Sequence, residues 1–316
     1  MDNVLALLAP GQGSQTPGML SPWLELDGTR ERVTAWSELI DLDLVELGTV
    51  ADADAIKDTA ITQPLVVALS VLAFEELAKQ HELPADLVVA GHSVGELAAA
   101  VVAGVLSADD AIALAAVRGR EMAAACELAP TGMAAVMGGE PDDVVAWLGQ
   151  FDLSAANRNG AGQIVAAGPV ESIDKIVAEK PDWVKKVIRL KVAGAFHTKY
   201  MAPAQEALRV RAKDVMVADP TRTLLSNADG EVVTSGADML ARLVDQVTLS
   251  VRWDSCMATM TTLGVHATAE LPPAGALTGL AKRELTGITT AALKTPADLA
   301  KVAAALSTPD EDGTAQ

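Results

Sequence analysis

Residues 86–96 run Asp86-Leu87-Val88-Val89-Ala90-Gly91-His92-Ser93-Val94-Gly95-Glu96, a short apolar run, a G-x-S-x-G and the start of a helix-forming stretch. A serine on a sharp strand-to-helix turn stands exposed above a sheet, and glycines on both sides allow the turn. The helix N-terminus that follows aims free N–H groups and a positive dipole end at the serine oxygen. The order predicts a nucleophile at Ser93; the alternative is an ordinary βα turn with a solvated serine. A serine nucleophile needs a base, and the chain has four histidines. His81 sits at a charged helix end and reads as solvated. His92 lies on the turn itself and reads as its support. His266, in a strand-like run before Glu270, reads as a satisfied structural histidine. Elimination leaves His197, in Gly194-Ala195-Phe196-His197-Thr198, as the candidate base.

Arg118 lies in Ala111-Ile112-Ala113-Leu114-Ala115-Ala116-Val117-Arg118-Gly119-Arg120, a helical stretch apolar nearly all round. Such a helix is buried, and a buried arginine requires an anion. Its planar two-donor fork fits a carboxylate. From the residues alone two readings stand: a clamp for a carboxylate-bearing ligand, and an internal ion pair to an Asp or Glu. Gly11-Gln12-Gly13 is likewise either a source of backbone N–H groups for an oxyanion or a plain turn. It lacks the spacing of a dinucleotide fingerprint, and no G-x-x-x-x-G-K-[ST] occurs. Cys126 and Cys256 form no C-x-x-C or Cys/His cluster, so no metal site is expected; buried free thiols suit a reducing compartment.

These side chains need a scaffold. Val4–Ala9 predicts a buried strand ended by Pro10-Gly11. Residues 60–80 predict a long helix with Thr62 as N-cap and Pro64 near its start. Residues 86–90 form the second buried strand, and 94–105 and Ala108–Cys126 are Ala-rich helices, the latter opened by a capping-box-like Ser107 and Asp110. The middle changes character. Strands at 133–137, 153–157, 163–167 and 184–192, with helices at 141–148 and Val170–Ala178, give the β-α-β-β-α-β order of a ferredoxin-like unit. The expected fold class is α/β: a large subdomain of residues 1–129 and 198–306 with a small subdomain of residues 130–197 inserted. Residues 307–316 read as a disordered tail.

Half of the 316 residues are hydrophobic but only 3% are aromatic, so the core must be built from Ala, Val and Leu. A net charge of −18 argues against nucleic acid and anionic membrane as main partners. The N-terminus lacks the basic region of a signal peptide and no stretch approaches 18 uninterrupted apolar residues, so a cytoplasmic protein without a transmembrane helix is expected.

Together these segments resemble the malonyl-CoA:acyl-carrier-protein transacylase family, kin of the acyltransferase domains of polyketide synthases, over residues 4–306. The landmarks are Pro10-Gly11-Gln12-Gly13-Ser14-Gln15, Ile61-Thr62-Gln63-Pro64, Gly91-His92-Ser93-Val94-Gly95-Glu96, Arg118-Gly119-Arg120, Asn157 with Asn159, Ala195-Phe196-His197, Gln246 ahead of Arg252-Trp253, and Leu277-Thr278-Gly279-Leu280. The resemblance implies an α/β-hydrolase-like core, a parallel sheet flanked by helices, and [acyl-carrier-protein] S-malonyltransferase activity without a tightly bound cofactor. It implies Ser93 as nucleophile, His197 as base, the N–H groups of Gln12 and Val94 as oxyanion hole, and Arg118 as clamp for the malonyl carboxylate. By the same likeness the Gln246 backbone carbonyl orients the histidine, and Gln63 and Asn157 line the site. Gly194-Ala195-Phe196-His197 is similar to the H-A-F-H of malonyl-selective members rather than the Y-A-S-H of methylmalonyl-selective ones, with Phe196 crowding the α-carbon. Gly194, Thr198 and Ala9 depart from the commonest residues there.

The implied partners are a coenzyme A thioester and an acyl carrier protein, typically acidic, serving fatty-acid synthesis, with polyketide synthesis as a second setting; a monomer is the default. Docking then needs a basic face. Lys185, Arg189 and Lys191 share one side of the strand expected at 184–192, with Ile188, Leu190 and Val192 on the other; the alternative is a solvated sheet face, and Arg252 or Lys282-Arg283 would be other docking positions. Competing functions are a serine esterase or thioesterase with water as acceptor, and a non-catalytic carrier-protein scaffold. An acidic triad member between Ser93 and His197 would favour the hydrolase, but Asp142, Asp143, Asp152, Asp174 and Asp182 lack a triad context.

Overall fold

The computed structural model describes residues 4–306. In chain order the strands are β1 (Val4–Ala9), β2 (Val88–Gly91), β3 (Thr131–Met137), β4 (Ser154–Gly160), β5 (Gln163–Pro169), β6 (Lys186–Arg189), β7 (Thr223–Leu225), β8 (Val232–Val233), β9 (Val265–Glu270) and β10 (Thr289–Ala292). The helices are α1 (Thr29–Ile40), α2 (Leu44–Thr49), α3 (Thr59–Gln80), α4 (Gly95–Val102), α5 (Ala108–Cys126), α6 (Pro141–Gly149), α7 (Val170–Ala178), α8 (Ala202–Ala212), α9 (Gly236–Asp245), α10 (Trp253–Thr262), α11 (Ala276–Glu284) and α12 (Leu299–Ala305).

Two sheets result. The larger has the order β10-β9-β1-β2-β7-β8 and is parallel except for β8. Strands buried on both faces read as continuous apolar runs, and Val-Leu-Ala-Leu-Leu-Ala of β1 is one. Its Leu5, Leu7 and Ala9 join the main core with α3, α4 and α5, while Ala6 and Leu8 meet Trp253, Met257, Met260 and Leu280 of α10 and α11. The smaller sheet is antiparallel, ordered β4-β5-β3-β6. Ala134, Val136, Ile164 and Ala166 pack on α6 and α7, and the opposite residues Met133, Val165 and Ala167 face the main core. Strand β4 joins the larger unit through Val251: Arg158 N–H donates to its carbonyl at 2.9 Å and its N–H donates to Ala156 O at 2.9 Å. The two sheets thus wall one cleft.

Several expectations change. The cap of α3 is Asp58, which accepts from Ala60 N–H at 2.8 Å; Thr62 lies inside the helix, its hydroxyl donating to Ile56 O at 2.5 Å. Helix α3 is long and apolar enough to cross a membrane by length and composition, and most of it lies inside the protein. Ala, Val and Leu dominate the core, yet Trp23, Trp36 and Trp253 are among its largest fully buried side chains. Strand β6 spans only four residues, and its expected alternation fails: Val187 packs on the small core and Ile188 is 41% exposed. Lys191 therefore lies beyond the strand, and Arg189 is ion-paired with Asp174 of α7, so Lys185, Arg189 and Lys191 do not form one free face. The expected tail, 307–316, lies outside the described residues.

Candidate active site

Ser93 stands between β2 and α4 with φ of +54°, a left-handed conformation costly for a residue with a Cβ. Its neighbours make that turn possible. A Cβ on Gly91 would sit 2.2 Å from the Gly95 backbone, and one on Gly95 would sit 2.3 Å from Ala9 O. Asn227, just after β7, bolts the turn: its amide donates to Gly91 O at 2.8 Å and its Oδ1 accepts from Ser93 N–H at 2.8 Å.

His197, also at positive φ (+60°), brings Nε2 to 2.8 Å from Ser93 Oγ. Its Nδ1 lies 2.9 Å from the Gln246 backbone carbonyl, which only accepts, so the proton sits on Nδ1 and Nε2 is free to act as base. Burial, then the Arg118 charge, lowers the imidazole pKa to about 3. The ring is therefore neutral at working pH.

Arg118 is 3% exposed. Nη1 donates to Gln63 Oε1 at 2.6 Å, and Nη2 to Gln246 Oε1 at 2.8 Å and Ser93 Oγ at 3.3 Å. Nε is buried without a partner. Among the described residues no carboxylate pairs with the guanidinium, so the internal ion pair is absent; its direct partners are neutral amides and the serine. Burial lowers its pKa to about 10, with Glu96 pulling it back up. Gly119 explains how α5 delivers this side chain: a Cβ there would lie 2.6 Å from Thr59 O, so only glycine lets α5 press against the first turn of α3, beside Gln63.

A cavity of about 200 Å³ joins these groups, lined by Gln12, Gln63, Ser93, Val94, Arg118, Asn157, Phe196 and His197. Every residue the sequence placed at the reaction centre lines it except Gln246, which acts from behind through Arg118 and His197. Among the described residues the backbone N–H groups of Gln12 and Val94 have no partner. His92 supports the turn, its Nε2–H donating to Asn159 Oδ1 at 2.9 Å and its ring stacking edge-on to Trp253. His266 corrects the expectation of a satisfied histidine, since its Nδ1 is buried without a partner. Sequence reasoning missed Glu96 and Asn227. Glu96 is an acid in the first turn of an otherwise apolar helix, and Asn227 a polar residue at the C-terminal end of a parallel strand, where ligands gather; both signals were present. Met122, Met133, Leu190 and Val192 supply the apolar wall.

A neutral imidazole within reach of an elbow serine, with two N–H groups free for an oxyanion, can make and break an acyl ester. The comparisons narrow that class: the chain belongs to the acyl transferase domain family, whose model matches residues 7–304. It is 55% identical to the malonyl CoA-acyl carrier protein transacylases of Mycobacterium tuberculosis and Mycobacterium bovis over 301 residues, 95% of this chain and 99% of theirs. Against the Escherichia coli malonyl CoA-acyl carrier protein transacylase identity is 32%, over 93% of this chain and 97% of that one. The crystal structure of MCAT from Mycobacterium tuberculosis superposes with a TM-score of 0.91 at 54% identity, covering 95% and 99% of the two chains. A malonyl-transacylase solved in complex with its type II PKS acyl-carrier protein gives 0.89 at 28% identity, covering 95% and 99%.

Proposed function

We propose that this protein moves a malonyl group from malonyl-CoA, through an ester on Ser93, to the phosphopantetheine thiol of an acyl carrier protein. One observation carries the choice of acyl group: a buried guanidinium, its direct partners uncharged, sits beside the nucleophile with a bidentate edge to offer. A free carboxylate one methylene from the reacting carbonyl meets that need; acetyl does not.

The steps follow from the geometry. Ser93 Oγ attacks the thioester carbon as His197 Nε2 takes its proton. The oxyanion is received by the N–H groups of Gln12 and Val94, where each donor is worth about 2–4 kcal/mol. Collapse breaks the C–S bond, and His197 returns the proton to the coenzyme A thiolate. His197 then deprotonates the carrier thiol, whose sulfur attacks the ester and regenerates Ser93. Phe196, against the α-carbon, and Asn157, on the cleft wall, bear on acyl fit. The β-α-β-β-α-β order and antiparallel pairing support a ferredoxin-like insert, residues 130–197, in an α/β-hydrolase-like core. Basic residues at its edge, Lys185 and Lys191 foremost, are our candidates for steering the carrier protein.

The test is intact mass spectrometry after brief exposure to malonyl-CoA. A malonyl adduct is expected on the wild type and not on Ser93→Ala, discharged by holo carrier protein. Free malonate without an adduct would indicate a thioesterase.

A further inference from the structure

Glu96 is 1% exposed in the first turn of α4, and among the described residues neither Lys nor Arg pairs with its carboxylate. Both its oxygens are taken by N–H donors. Oε1 accepts from Asn227 N–H at 2.6 Å, and Oε2 accepts from the Gln246 side-chain amide. We propose that Glu96 is a positioning residue that sets acyl selectivity: by holding the amide nitrogen of Gln246 it turns Gln246 Oε1 toward Arg118 and fixes the guanidinium in the pose that receives a malonyl carboxylate. This rests on the transacylase reading above.

The two ends of a glutamine amide are alike in size, so hydrogen-bond partners alone decide which end faces which neighbour. Gln246 Nε2 is drawn to the Glu96 carboxylate and to Ser93 O at 3.1 Å, leaving Oε1 to accept from Arg118 at 2.8 Å. The opposite orientation would set an NH₂ against a guanidinium, donor against donor. On the other side of the fork, Gln63 is held less firmly, its Nε2 resting on the weak acceptor Met122 Sδ at 3.5 Å. Glu96 has a second arm through Asn227 to the Ser93 turn, which serves any acyl group. Only the Gln246 arm distinguishes one acyl group from another.

Burial pushes the Glu96 pKa up to about 8, against the pull of the Asn227 N–H and the Gln246 amide. The charged or titratable groups around it are Arg118 on α5 (about 10), Arg242 on α9, His197 (about 3) and Cys256 on α10, whose thiol is held up by burial. Among these, Glu96 is the group that titrates between pH 7 and 9.

The experiment compares rates of malonyl- and acetyl-enzyme formation by rapid quench and mass spectrometry. At pH 9, where Glu96 is ionised, Glu96→Gln replaces two carboxylate acceptors by one carbonyl oxygen, so the malonyl-over-acetyl ratio is expected to fall about tenfold or more. In an Arg118→Ala background the same change should leave the ratio unmoved, because the relay has no end point. In the wild type the ratio should rise from pH 7 to 9 as Glu96 ionises. A folded Glu96→Gln that slows both substrates equally, or shifts the ratio as much without Arg118, overturns the proposal. If that variant does not fold, a pH-independent ratio in the wild type overturns it. Failure of the wild type to form a malonyl adduct at all would defeat the transacylase reading instead.

Discussion

His197 and Arg118 depend on each other. The guanidinium charge, added to burial, keeps the imidazole well below the ordinary histidine range, at about 3. A depressed pKa means that the base stays unprotonated as the pH falls. The kcat/KM for malonyl-CoA should therefore show no histidine limb between pH 8 and 5, which a pH profile of acyl-enzyme formation checks; a limb near 6.5 would contradict it. Removing the guanidinium has a different signature. Arg118→Ala leaves a malonyl carboxylate buried without a partner, so malonyl transfer should fall by about 3 kcal/mol, ~100-fold. Acetyl transfer should be retained or gained, and equal loss of both in a transfer assay would sink the clamp role. Residue type and neighbourhood singled out Ser93 and His197 as a candidate pair and Arg118 as a buried arginine with two readings open. For Glu96 and Asn227 the sequence held only a local hint, an acid in an apolar helix and a polar residue after a strand, because a buried acid and a loop amide acquire a role from what they touch.

At the level of elements, the site depends on glycines where backbones meet. Gly91 and Gly95 let β2 turn into α4 under Ser93, and Gly119 lets α5 lie against Thr59 O of α3. Gly119→Ala must push the two helices apart, at a cost of about 1–3 kcal/mol. Its Tm should fall by about 3–10 °C. Because the shift separates Arg118 from Gln63, malonyl transfer should drop more than acetyl transfer; calorimetry with the two-substrate assay reads both, and an unchanged Tm would refute the close approach. Helix α5 and strand β1 matched their predicted bounds because caps and apolar runs are local. The cap of α3 was misassigned because Thr62 and Asp58 carry equal local signals, and only the path of the chain through Ile56 decided between them. Strand β6 was overextended for a similar reason: its alternation is set by where α7 lies, and Arg189 answers Asp174 rather than the sequence pattern.

For the whole molecule, the balance of charge governs encounter. A chain of net charge −18 repels an acidic carrier unless cations are placed locally. With Arg189 engaged by Asp174, the exposed Lys185 and Lys191 remain the candidates. Reversing both to Glu should raise the KM for carrier protein about fivefold or more and leave the coenzyme A half-reaction unchanged; an unaltered carrier KM would rule the pair out. The sequence by itself determined the mixed α/β class, the elbow serine and the candidate histidine, and its motifs marked the family, because apolar periodicity, glycine pairs and catalytic residue types act over a few neighbours. Only the tertiary structure brought residues from four separate stretches, at 63, 93–118, 197 and 227–246, within hydrogen-bond reach. It alone decided that among the described residues no carboxylate pairs with Arg118, and that Glu96 reaches it through Gln246. Hydrogen bonds have a reach of about 3 Å, and which groups come that close is settled by packing between elements far apart in the chain.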